Sequence, residues 1–171
     1  MPGAEDGSRK RAFDPVVDVD TRLLILGSLP GDASLKAGQY YGHPQNGFWR
    51  LVGGVIGCDL VALTYSERLE ALKAAGVGLW DVIAEARRPG SLDQAIREVE
   101  RADLAALVET LPRLAAIAFN GATAAKLGRR TLTGLDRVTL IDLPSSSPAY
   151  TLPFAVKAER WAVLARWIAN S

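Results

Sequence analysis

Three glycine- and serine-rich segments hold the residues best suited to binding or chemistry. The first, GSLPGDASLKAGQYYGHPQNGFW, runs from Gly27 to Trp49; the second is FNG, Phe119 to Gly121; the third is LPSSSPAY, Leu143 to Tyr150. Gly27 and Gly31 allow sharp turns and close backbone approach to a ligand. Ser28 and Ser34 can offer hydroxyl and N–H groups to an anion. Tyr40 and Tyr41 are flat amphipathic rings that suit stacking on a base as well as filling a core. Asn46 sits at the mouth of a helical pattern, where it can cap the helix or face a ligand. Asn120 carries an amide that both donates and accepts, and it equally suits the turn before Gly121. His43, the only imidazole, is either a proton donor or a structural residue ordering the loop before Pro44. These segments contain no acidic pair and no nucleophile–histidine–acid set. The Walker lysine with its following Ser/Thr is missing, as is the third glycine of a dinucleotide fingerprint, which argues against a nucleoside triphosphatase or a dehydrogenase.

Such loops need elements to hold them. Arg22 to Gly27, Arg113 to Phe119 and Arg137 to Leu143 are short apolar runs that suit strands buried on both faces, and Gly78 to Ile83 is a fourth, weaker candidate. Helical patterns lie between them. Phe48, Leu51, Val52 and Val55 share one face. Thr64-x-x-Glu67 and Ser91-x-x-Gln94 are capping-box patterns, the second ahead of Ile96 and Val99. Leu104, Leu107, Val108 and Leu111 form another face, closed by Pro112. Gly121 opens a short helix expected to stop at Gly128, and Trp161, Leu164, Ala165 and Ile168 form the last. Strands alternating with helices imply an α/β fold with a parallel sheet covered on both sides. Ligands of such sheets sit outside the carboxyl ends of the strands, where the unusual loops fall.

Composition narrows the classes. The 171 residues suit one domain. With 20 basic against 19 acidic residues, net +1, a strongly basic nucleic-acid coat is excluded, although a local patch is not. A single cysteine, Cys58, excludes a disulfide framework and a multi-cysteine metal site. No apolar run approaches the roughly 20 residues of a membrane span, and the polar, basic start lacks a secretory core, so a cytoplasmic protein is expected. Residues 1–12, with Arg9-Lys10-Arg11, read as a flexible basic arm before a single domain over 13–171.

The order of GSLPG, QYYGHPQNGFW, FNG and LPSSSPAY resembles the uracil-DNA glycosylase superfamily, most closely its hypoxanthine branch, the DNA-deoxyinosine glycosylases. The resemblance runs from about Arg22 to Trp167. It implies a three-layer α/β/α sandwich on a short, mostly parallel four-stranded sheet. It also implies hydrolysis of the N-glycosidic bond of a deaminated base flipped out of DNA, with no cofactor or metal and the enzyme acting as a monomer. Better-known branches orient the attacking water with an Asp or Asn just after the first strand, where this chain has Ser28-Leu29-Pro30. The hypoxanthine branch uses the asparagine of its HPxN block, Asn46 here. The histidine that classical uracil enzymes carry in the last loop is absent from Leu143-Pro144-Ser145. The resemblance thus places Asn46 as the catalytic residue. It places Gly27, Ser28, Tyr40, Tyr41, Trp49 and Asn120 around the base. Gly31, Ser34, Ser145, Ser146, Ser147, Pro148, Ala149 and Tyr150 would face DNA. A uracil or G:T/U mismatch glycosylase, and a non-catalytic nucleic-acid-binding module of the same fold, are the alternatives.

Overall fold

The structure is a computed structural model and describes residues 9–11, 13–28, 31–87, 98–101 and 103–168. Four short strands, β2 (Leu23–Gly27), β3 (Val77–Asp81), β6 (Ala116–Asn120) and β7 (Thr139–Leu143), form one sheet in the order β3-β2-β6-β7. Every pairing in it is parallel, with Ile25 opposite Leu79 on one side and Ala118 on the other. Side chains of a strand alternate between faces. Leu23 and Ile25 therefore join one core with Val77, Leu79, Ala116 and Ala118, while Leu24 and Leu26 join the other with Ile117 and Phe119. The first core is closed by α2 (Phe48–Ile56), α3 (Tyr65–Ala74) and α6 (Phe154–Trp161), through Phe48, Leu51, Val52, Leu72 and Trp161. The second is closed by α4 (Leu104–Glu109) and α5 (Ala122–Thr131), through Leu104, Val108 and Ala124. Helices on both faces make the expected three layers.

Local signals explain several boundaries. Thr64 and Glu67 form a reciprocal capping box, each side chain accepting from the other's backbone N–H (3.2 and 2.9 Å), and start α3. Asp103 Oδ1 accepts from Ala106 N–H and starts α4. Elsewhere the expectations need correction. Gly128 does not stop α5, which continues to Thr131. A Cβ at Gly128 would collide with the Phe119 ring, so this glycine serves helix–sheet contact. The stretch from Gly27 to Trp49 is not all loop, because Asp32–Ala37 forms a short helix, α1.

Val99 lies in a strand, β5 (Glu98–Arg101), and not in a helix; Ser91, Gln94 and Ile96 lie outside the described residues. β5 pairs antiparallel with β4 (Ile83–Arg87), which pairs with β1 (Arg9–Arg11), giving a second, three-stranded sheet in the order β1-β4-β5. Arg9–Arg11 are thus paired in a strand instead of lying in a free arm, and residues 1–8 and 12 lie outside the description. Antiparallel backbone pairing needs no apolar run, and none marks Arg9–Arg11 in the sequence. Among the described residues no helix is long and apolar enough to cross a membrane.

Candidate active site at the carboxyl ends of the sheet

The carboxyl ends of β2, β3, β6 and β7 open into one cavity of about 470 Å³, within the range of roughly 300–1,000 Å³ typical of small-molecule sites. Its walls include Gly27, Ser28, Gly31 and Ser34, then Tyr41 and Asn46, then Asn120 and the 145–150 loop. Of the residues expected at the site, only Trp49 lies outside this lining.

Asn46 stands where the preceding turn enters α2. Its own N–H donates to the His43 carbonyl (3.0 Å), and its Oδ1 accepts from the Phe48 N–H (2.9 Å). That bond closes a turn ahead of α2, satisfies the N–H of its first residue and fixes the side-chain amide. An amide oxygen has two lone pairs, so one remains for a ligand, together with the two Nδ2 protons. His43 is exposed, and its Nδ1 accepts from the Gln45 N–H (3.0 Å), which makes it a loop-ordering residue. The Gly47 N–H donates to the Ser146 carbonyl (3.0 Å), tying the Asn46 turn to the serine loop.

The serine loop is built from its own hydroxyls. Ser145 Oγ accepts from the Ser147 N–H, and Ser147 Oγ accepts from the Ala149 N–H, both at 3.1 Å. Asn120 grips the middle: its Nδ2 donates to Ser146 Oγ and its Oδ1 accepts from the Ser146 N–H, both at 2.9 Å. From α6, Lys157 Nζ donates to the Ser147 carbonyl (3.0 Å) and Trp161 Nε1 to the Pro144 carbonyl (2.9 Å). Burial pushes the Lys157 ammonium below its ordinary pKa. Gly121, at φ +99°, lies against Ser145; the approach and the left-handed backbone both call for glycine.

Several expected roles change. Tyr40 was to stack on a base. It reaches the cavity wall, but its ring is a core element, 3% exposed, edge-on to Phe13, with its hydroxyl donating to the Asp14 carbonyl (2.9 Å). Burial first, and the nearby Asp81 next, push its phenol further above the ordinary value. Trp49 also belongs to the core, packed against Phe48 and Tyr65. Ser34 and Ser146, expected to meet DNA, are buried and spend their hydroxyls inside the fold, Ser34 accepting from the Gly42 N–H (2.8 Å). Asn120 grips Ser146 with both ends of its amide, which leaves one Nδ2 proton and one Oδ1 lone pair for a ligand in the cavity. Ser145 and Ser147 are half-buried, while Pro148, Ala149 and Tyr150 are exposed.

Two features escaped the sequence reading. The first is Asp81, a carboxylate at the end of β3, 4% exposed and on the cavity wall. The apolar run GLWDVI reads as a buried strand, and the charged residue interrupting it is the signal that marks this position. The second is a shallower groove of about 300 Å³ beside the cavity, with Gln45, Arg50, Tyr150, Phe154 and Lys157 on its walls. The Arg50 guanidinium lies 4.2 Å above the Phe154 ring. Tyr41 takes the rare left-handed backbone for a non-glycine residue, φ +54°, and stacks flat on Phe48 at 3.8 Å. Among the described residues no group of three His, Cys, Asp or Glu is placed to hold a metal.

Comparison with known proteins agrees with this architecture. The family model of the uracil DNA glycosylase superfamily matches residues 15–168. A hypoxanthine DNA glycosylase of Methanosarcina acetivorans is 46% identical over 140 residues, 82% of this chain and 87% of the relative. Another of the same description, from Methanosarcina barkeri, is 49% identical over 113 residues, 66% of this chain and 72% of the relative. A solution NMR structure from Methanosarcina acetivorans, assigned to the uracil DNA glycosylases, superposes with a TM-score of 0.82 at 40% identity, covering 92% of this chain and 97% of that one. With its parallel sheet, its cavity at the strand ends and a match spanning nearly the whole chain, this protein belongs to the uracil DNA glycosylase superfamily.

Proposed function

We propose that the protein is a monofunctional DNA glycosylase that hydrolyses the N-glycosidic bond of hypoxanthine in DNA. The observation that carries this is the kinship, at 46% identity across 82% of the chain, to a hypoxanthine DNA glycosylase. The site is compatible with the chemistry. A base must leave the duplex to be reached, at a cost of a few kcal/mol that is least for a mispaired base such as hypoxanthine. The cavity offers the extruded base a polar wall. Asn46, its amide held by the Phe48 N–H, accepts a hydrogen bond from the attacking water through the remaining lone pair of Oδ1. An amide is no strong base, but a reaction in which the base departs early needs little more than a positioned water. Donors aimed at the departing base lower the barrier as negative charge builds there.

DNA contacts fall to the exposed rim. The hydroxyl oxygens of Ser145 and Ser147 are used to shape the loop, and their protons remain to donate to phosphate, which positions the duplex without reading its sequence. Tyr150, 47% exposed, stands where a side chain could enter the vacated stack. The enzyme works as a monomer and needs no cofactor.

A cleavage panel tests this. Duplexes carrying hypoxanthine, uracil, xanthine or thymine opposite each base are incubated with the protein and then treated with alkali to break abasic sites. Fastest cleavage at hypoxanthine supports the proposal; cleavage at uracil or thymine alone overturns it in favour of a uracil or mismatch enzyme.

A further inference from the structure

The shallow groove beside the cavity takes no part in the proposed chemistry. The two share one wall, because Ser146, Pro148 and Tyr150 face both. Their charge differs. Among the described residues the cavity lining holds no Lys or Arg and one carboxylate, Asp81. The groove lining holds two cations, Arg50 and Lys157, and no carboxylate among the described residues. On a chain of net charge +1, that is a local excess of positive charge at the edge of the cavity. A neutral base suits the first space and an anion suits the second.

The two cations differ in what they can do. Arg50 is exposed, and its guanidinium carbon lies 4.2 Å from the centre of the Phe154 ring. That contact uses the face of the guanidinium; its N–H donors lie in the plane of the group and remain for a partner. Lys157 is 6% exposed, with Nζ donating to the Ser147 carbonyl (3.0 Å) and lying 5.5 Å from the centre of the Tyr150 ring. It contributes charge from behind the loop instead of a contact. We infer that the groove is a second DNA subsite, in which Arg50 binds a backbone phosphate of the damaged strand near the extruded nucleotide. This subsite presupposes the proposed glycosylase activity and adds where the strand is held. The shared wall selects the strand, because a chain whose base enters the cavity runs on over Ser146, Pro148 and Tyr150 into the groove. A planar guanidinium matches a phosphate with paired, charge-assisted hydrogen bonds that carry no base identity. The grip also sets register. A Cβ at Gly47 would stand 3.5 Å from the Phe154 ring, so the ring that carries Arg50 lies against the residue after Asn46.

The test is a scan that neutralises one phosphate at a time. Duplexes carry a hypoxanthine and a single methylphosphonate, which has no charge, at successive positions of either strand. Binding is measured in the Asn46→Ala background, with and without Arg50→Ala. Arg50 is exposed, so its removal should leave melting near that of the parent. At a position of the damaged strand near hypoxanthine, neutralisation should weaken binding about 5-fold or more. In Arg50→Ala the same modification should cost less than about 2-fold, because its partner is gone, while other sensitive positions keep their effects. If every sensitive position keeps its effect in Arg50→Ala, or the lost effect lies in the complementary strand, the subsite is overturned. Hypoxanthine release by wild type from the unmodified duplex checks the activity separately. Release with no Arg50-dependent position leaves the activity standing and removes the subsite. If wild type releases uracil but no hypoxanthine, the proposed substrate fails, and the same scan around uracil decides the subsite by itself.

Discussion

Asn46 lines the cavity, and its amide oxygen holds the N–H of Phe48, the first residue of α2. Asn46→Ala should lower hypoxanthine release by about two orders of magnitude or more, the scale of a positioned catalytic group. It should also cost about 1 kcal/mol of stability through the lost hydrogen bond to the Phe48 N–H. Asn46→Ser separates the two roles. A serine hydroxyl can still accept from the Phe48 N–H but is too short to hold the water, so melting should be near normal while turnover stays lost. Near-normal turnover in both variants would remove Asn46 from the mechanism. Lys157 gives a pH signature. Its folded pKa lies below 10.5, so the unfolded chain binds more protons between the two values, and stability rises with pH through that window. Denaturant melts up to about pH 10.5 should show that rise in wild type and a flatter profile in Lys157→Met.

At the element scale the serine loop is a clamped structure. Asn120 holds it from β6, Gly47 from the start of α2, and Lys157 and Trp161 from α6. Asn120→Ala removes both bonds to buried Ser146. It should cost about 1–3 kcal/mol, the penalty for stranding buried polar groups, and weaken DNA binding alike for damaged and undamaged duplexes. Loss confined to hypoxanthine duplexes would mean that Asn120 reads the base. Gly128→Ala is the control outside the cavity lining: overpacking against Phe119 should cost about 1–3 kcal/mol and leave base preference unchanged. The parallel strands were legible because continuous apolar runs such as LLILG are the mark of burial on both faces. The antiparallel β1-β4-β5 sheet was not, because RKR and EVER carry charge where the strand pattern looks for apolar residues. Asn46 and the serine loop were legible as motifs. Asp81 was not, because its meaning depends on β3 lying beside β2 with Gly27 at the end of the register, which only the folded sheet provides.

For the whole molecule, a net charge of +1 limits the electrostatic pull on DNA, so contact must depend on a few placed cations. Arg50, exposed at the groove beside the cavity and seated on Phe154, is placed for such a contact. Arg50→Ala should weaken binding uniformly across sequences and reduce the salt slope by about 1, measured by salt titration in the Asn46→Ala background. The family's sheet, the cavity at its carboxyl end and the proposed holding of the attacking water by Asn46 point to hydrolysis without a covalent intermediate. Its most direct test is product analysis after a single turnover on a hypoxanthine duplex, with borohydride present in a parallel reaction. Free hypoxanthine and an unbroken abasic strand should appear in equal amounts, with no protein–DNA adduct; a borohydride-trapped adduct, a nicked strand before alkali, or no free hypoxanthine would rule this chemistry out.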